Sequence, residues 1–198
     1  MKDDLAPTLA PPGAGLPRIE LFVGNILLRI RLATGDRGSF NARFNKERQA
    51  IRALVESCRG ETGGKRVSIE RPPGLEDSSR YWSVWMTLDH LRIVHHEIAK
   101  AIAQLGNGVV PSQKVSTATV KPSPEASEAV VAAYEASCDA VMAAVAALPD
   151  LHTSARLSHP WFGPLDAYGW HGLMGGHMGI HRGQIERILQ KLARQSTR

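Results

Sequence analysis

The sequence predicts an all-α protein, an up-down-type four-helix bundle with long interhelical loops. Three observations carry this. Apolar residues recur at three- and four-residue intervals through several long segments, the spacing of an amphipathic helix. The stretches between them are rich in Gly, Pro and Ser and hold no alternating strand pattern. A chain of 198 residues, 43% apolar and 22% charged, is long and apolar enough for one globular domain with its own core.

Taken in order, residues 1–17 (MKDDLAPTLAPPGAGLP) are proline-rich and aperiodic, which predicts a flexible tail ahead of a single domain over 18–198. A first short helix is expected over 18–33, with Ile19, Phe22, Val23, Ile26, Leu27 and Ile30 as its apolar side. ATGDRGS makes a turn, and Ser39 is placed to cap a helix over 40–59 whose stripe is Phe40, Phe44, Ile51, Leu54, Val55 and Cys58. A long connection follows, with a little extended structure expected at 67–70. Next comes a helix over 80–105 carrying Val84, Leu88, Leu91, Ile98, Ile102 and Leu105.

The helix after it is expected to start at Ser123-Pro124. There a capping serine, a first-turn proline and the acidic Glu125 and Glu128 suit the helix dipole. Its stripe is Val131, Tyr134, Cys138, Val141, Val145 and Leu148, and Asp166 is placed to cap a last helix over 167–195.

Charge and cysteine usage narrow the function classes. The net charge is +5, but acidic residues are interleaved among the arginines, and no basic run carries stacking aromatics. This argues against nucleic acid as the main partner. Cys58 and Cys138 lie far apart, outside any CxxC, as befits free thiols in a reducing cytoplasm. The apolar run LFVGNILL spans only eight residues between Arg18, Glu20, Arg29 and Arg31, so neither a membrane span nor a leader is expected.

The chemistry concentrates in the histidines. The last helix reads Trp170, Met174, His177, His181, Ile185, Ile188, Leu192 along its core stripe, with both histidines on an otherwise apolar face. Burying two imidazoles is costly unless their nitrogens find partners, and at i and i+4 both can reach one divalent cation. Two core histidines bonded to carbonyls or water are the plainer alternative. Met178 stands where a metalloprotease HExxH needs its glutamate, which excludes that chemistry, and Gln184 is placed to bond His181 from behind. LDHLRIVHHEI offers a third ligand: periodicity favours His95, His90 lies beside the core line, and His96 points outward, so spacing alone leaves the choice open.

WSVWMTLDHLRIV resembles the second helix of DinB-like (DinB/YfiT-type) four-helix bundles, in which a Trp-Ser pair precedes a histidine by eight residues. Trp82-Ser83 and His90 keep that spacing, and His177 and His181 match the HxxxH of the family's last helix, ahead of RGQIERIL. HPWFGPLDAYGWHGL is similar to a His-Pro-x-Phe-Gly segment of one branch. The resemblance covers residues 40–195 and implies a metal site of His90, His177 and His181, with His95 as the fallback third ligand.

Three neutral imidazoles suit Zn²⁺ or Ni²⁺ and leave a coordination position open. Characterised relatives include thiol-dependent transferases and isomerases that use mycothiol or bacillithiol. The resemblance therefore implies a metal-dependent enzyme that activates a low-molecular-weight thiol or water against a small-molecule electrophile; separately, a cytoplasmic location and a homodimer are expected. The alternative is a non-catalytic, stress-associated metal-binding bundle.

Around the site, His159 and His171 are candidates for its mouth, Glu97 for holding a ligand ring or acting as a base, Arg80 and Arg182 for binding an anionic substrate, and Trp85 and Trp161 for core or site wall; solvated histidines, a Glu97 salt bridge and surface arginines are the plainer alternatives. Gly172, Gly176, Gly179 and Gly183 form a stripe beside the histidines, expected to admit a neighbouring backbone or leave room for substrate.

Overall fold

The structure is a computed structural model that describes residues 7–58, 60–112 and 115–196. Residues 1–6 of the expected tail, Arg59 at the expected end of the second helix, and 197–198 lie outside the described residues. Among the described residues five α-helices follow in order: α1 (Arg18–Thr34), α2 (Arg37–Glu56), α3 (Val84–Gly106), α4 (Val130–Ala146) and α5 (Ala167–Ser196). The bundle packs α2 on α5, α5 on α3 and α3 on α4. Arg48 and Arg52 of α2 reach Glu135 of α4, and Arg48 also reaches Asp139, closing the ring. The long 57–83 connection lets α3 take a place away from α2.

The expected stripes of α2 to α5 form the core. Phe44, Ile51, Leu88, Leu91, Ile102, Leu105, Cys138, Val141, Met174, Ile185 and Ile188 are all buried. Both cysteines are free and buried. Among the described residues, no helix is long and apolar enough to cross a membrane.

Four local expectations are corrected. The cap of α2 is Asp36, whose carboxylate accepts from Ser39 N at 2.7 Å while Ser39 Oγ accepts from Asp36 N at 2.9 Å; Ser39 is the far half of a capping box. Helix α4 starts at Val130 rather than beside Ser123. The Ser123 amide is held instead by the Asp89 carboxylate at 2.9 Å, and residues 124–129 form turns. A two-stranded antiparallel hairpin, β1 (Leu157–His159) and β2 (Gly163–Leu165), occupies a stretch expected to be loop.

The fourth correction concerns α1. Its apolar positions Ile19, Phe22, Val23, Ile26, Leu27 and Ile30 are between 42% and 67% exposed, and only Leu28 is buried. The helical spacing was right, but α1 lies across the outside of the bundle and turns the opposite side inward. Asp166 does cap α5, accepting from Gly169 N at 2.8 Å, as its position predicted.

Residues 10–15 run along the 76–77 turn. Ala10 N donates to Asp77 at 2.7 Å, and Gly13 N and Gly15 N donate to the two oxygens of Glu76 at 3.4 and 3.3 Å.

Candidate metal centre

Helix α3 begins at a Ser83 cap, where Ser83 Oγ accepts from Met86 N at 3.1 Å. This start sets the phase of the helix and places His90 two turns further, on the side facing α5. On α5, His177 and His181 stand one turn apart. A ligand nitrogen from each of the three rings falls within 4.8 Å of the others, and Nε2 of His90 and Nε2 of His177 are 3.4 Å apart. His90 and His181 are buried; His177 is partly exposed.

The surroundings fix the tautomers of two rings. His90 Nδ1 donates to the Val120 carbonyl at 2.7 Å, and His181 Nδ1 donates to Gln184 Oε1 at 2.8 Å. Gln184 is itself oriented, because its Nε2 donates to the Ser79 carbonyl at 2.7 Å. Since both Nδ1 atoms carry protons, both Nε2 lone pairs point into the cluster. Burial pushes all three histidines below their ordinary pKa, His181 to about 4, and the neighbouring rings depress His90 and His177 further.

The rings are therefore neutral at physiological pH, the state a metal needs. His177 Nδ1 is buried without a hydrogen-bond partner among the described residues. Unprotonated nitrogens crowded in a desolvated pocket lack an electropositive neighbour, and a divalent cation is the occupant that fits.

Trp82 forms a wall. Its ring stacks on His181 at 6.3 Å and 7° and leans on His90 at 5.2 Å, while the Lys121 ammonium lies 5.5 Å from its face. The Trp-Ser pair thus has two duties: the tryptophan braces two imidazoles and the serine starts their helix.

His95, which periodicity favoured, belongs elsewhere. It is fully buried between Phe44 and Tyr134 and bonds Ser137 Oγ at 3.1 Å. A core line selects the most buried histidine, whereas a ligand sits at the edge of the core, where a cavity reaches it.

A cavity of about 1020 Å³ opens on the three histidines, bounded by α1, α3, α5, residues 111–112 and 115–121, and the hairpin. His159 and Trp161 line it, and Asn25 of α1 fastens the hairpin by donating to the Trp161 carbonyl at 3.1 Å. His171 and Trp85 do not line it: His171 is buried edge-on to Phe40, and Trp85 is a core residue. Glu97 lines the cavity but is exposed and paired with Lys100 at 3.2 Å.

Arg80 and Arg182 are spent on salt bridges, Arg80 to Asp77 at 2.7 Å and Arg182 to Glu47 at 2.7 Å and to Glu186. Neither lines the cavity; Arg31 and Arg43, which sequence reasoning passed over, do.

The glycine stripe divides. A Cβ on Gly172 would lie 2.6 Å from Leu32 and 3.0 Å from Phe40, so this glycine admits α1 and α2 to α5. Gly176 lines the cavity and has open space where a side chain would stand.

Comparisons with known proteins agree with this geometry. A family model described as the DinB superfamily matches residues 43–185, which contain all three clustered histidines. The solved structure of TT2238, a four-helix bundle protein, is similar at 19% identity and a TM-score of 0.54, covering 75% of this chain and 97% of that one. No curated protein matches the chain significantly.

Proposed function

The chain belongs to the DinB superfamily, and on that premise we propose that it is a metal-dependent enzyme whose His90, His177 and His181 hold a zinc or nickel ion. The observation that carries the reading is the convergence of three neutral imidazoles at one end of a large cavity. An ion used only to brace the bundle has no need of such a cavity. In this donor set the ion supplies Lewis acidity, making a thiol or a water acidic enough to attack near neutral pH.

The protein's own residues do the rest. Val120 and Gln184 hold two rings in register, and Trp82 shields them from water. Lys121, paired with Glu76 at 3.0 Å, anchors the segment that carries Val120 beside His90. The reaction class this supports is thiol-dependent transfer or isomerisation, or hydrolysis, on a small electrophile.

Metal analysis of purified protein tests it. Wild type and His95→Ala are expected to carry one zinc or nickel per chain, and His90→Ala none. Metal retained in His90→Ala but lost from His95→Ala overturns the ligand set, and a metal-free wild type after reconstitution overturns the site.

We also propose that the exposed face of α1 pairs with a second copy. Its six apolar positions are mirror-symmetric. A two-fold axis between Gly24 and Asn25 sets Ile19 opposite Ile30, Phe22 opposite Leu27 and Val23 opposite Ile26 of the other copy. Six such side chains offer roughly 600 Å² per chain, near the ~800 Å² per partner of a standard interface. Light scattering is expected to give a dimer mass for wild type and a monomer mass for Phe22→Glu with metal content unchanged. A monomeric wild type sinks the idea.

A further inference from the structure

The cavity carries an unbalanced charge. Its acidic lining residues are all engaged: Glu20 by Arg71 at 2.5 Å, Glu76 by Lys121 at 3.0 Å and Glu97 by Lys100 at 3.2 Å. Arg31 and Arg43 also line it, yet among the described residues neither guanidinium makes a hydrogen bond or an ion pair. Burial first, and Arg43 second, push the Arg31 guanidinium below its ordinary pKa against the opposing pull of Glu47, a carboxylate already held by Arg182 at 2.7 Å. Two unpaired arginines facing one cavity form a site for an anion.

Beyond these groups the lining is mixed, with Gln104, Ser112 and Thr119 on one side and an apolar stretch between α1 and α5 on another. Leu21 and Leu28 of α1 and Leu173 and Ile180 of α5 all line it, and Gly176 has open space where a side chain would stand. The Arg43 stem lies over Gly175, where a Cβ would come within 2.8 Å of Arg43 Cγ. From Gly175, His177 and His181 are two and six residues along the helix, roughly 3 and 9 Å.

We propose that the cavity binds a small amphipathic carboxylate, its anionic head between Arg31 and Arg43, its apolar body over Gly176, and its far end at the three histidines. Only the last clause rests on the metal-enzyme reading. Arg31 lies outside the 43–185 family match and Arg43 is its first residue, so α1 adds one half of this anion site to the matched bundle.

Calorimetry on the metal-free full chain tests the proposal with octanoate and octanol as probes. Octanoate is expected to bind at least about tenfold more tightly than octanol. Arg31→Gln and Arg43→Gln should each remove most of that preference, and Gly176→Leu should abolish binding of both probes. Circular dichroism melts establish that each variant folds, and Gly176→Ala, with a smaller intrusion, should give a partial loss. Equal affinity for the two probes, unaltered binding in the arginine variants, or full binding in Gly176→Leu overturns the proposal. Because binding is read without metal, this failure is separate from a failure of the metal analysis.

Discussion

Replacing His177 by leucine is expected to abolish stoichiometric metal binding and, at the same time, raise the melting temperature of the metal-free protein. The two effects share one cause. Without a cation, His177 keeps a buried Nδ1 with no partner among the described residues, and its Nε2 meets only another imidazole nitrogen at 3.4 Å. An unsatisfied buried polar atom costs about 1–3 kcal/mol. Leucine has a similar volume and no polar atom, so the metal-free variant should gain about 1 kcal/mol, or roughly 2–4 °C in a chain of this size.

The wild type is expected to recover the deficit, and more, when metal is supplied. At a concentration about 1,000 times Kd, a ligand adds about 4 kcal/mol. Thermal melts with and without chelator, beside elemental analysis, read both effects. If these were plain core histidines, the leucine variant would melt lower in both conditions and metal content would not change. A variant that keeps its metal, or that melts below the chelated wild type, defeats the account.

The helices were legible because burial imposes a period that the chain cannot hide. Leu88, Leu91, Ile98 and Ile102 mark α3 whatever surrounds it. The same signal misled on α1. Periodicity reports that a helix has an apolar face, not which way the face points, and α1 turns Phe22 and Leu27 outward. It misled on His95 for a related reason, since it measures depth in the core. The start of α4 was misplaced because Ser123-Pro124 has good capping chemistry in isolation, but Asp89 captures the Ser123 amide from another helix.

His177 and His181 stood out from their i, i+4 spacing on an apolar stripe, His90 was chosen over His95 through a resemblance, and the geometry brings the three together; Gln184 followed from spacing alone. The Val120 carbonyl had no signal to give, because any residue supplies one. Glu76, Lys121, Arg31 and Arg43 act through contacts between segments distant in the chain, which no local pattern encodes.

Glu76→Ala is expected to lower the melting temperature by about 6–12 °C at pH 7 and to weaken metal binding by about tenfold, although Glu76 is not near ligand distance. Its buried carboxylate accepts from Lys121 Nζ at 3.0 Å, Thr117 Oγ1 at 2.9 Å and the Gly15 amide at 3.3 Å, joining three segments. Lys121 also donates to Ser78 Oγ at 2.9 Å and Ser79 Oγ at 3.2 Å. Val120 is its chain neighbour, so the residues that position His90 and Gln184 hang from this pair. Removing the carboxylate strands the Lys121 ammonium, about 3 kcal/mol by the usual cost of breaking a buried pair.

The pH dependence has a definite sign. Burial alone would raise the Glu76 pKa, but Lys121 and then Thr117 outweigh it and hold the carboxyl below its ordinary value. A depressed folded pKa contributes stability that is present above the unfolded value near 4.5 and lost as pH falls through the folded one. The gap between wild type and Glu76→Ala should therefore be full at pH 7 and narrow below about pH 4.5. Glu76→Gln, which keeps the hydrogen-bond shape but not the charge, should fall between the two at pH 7. Equal melting curves for all three at pH 7, or a gap that widens toward acid, would show that the pair does not organise this end of the bundle.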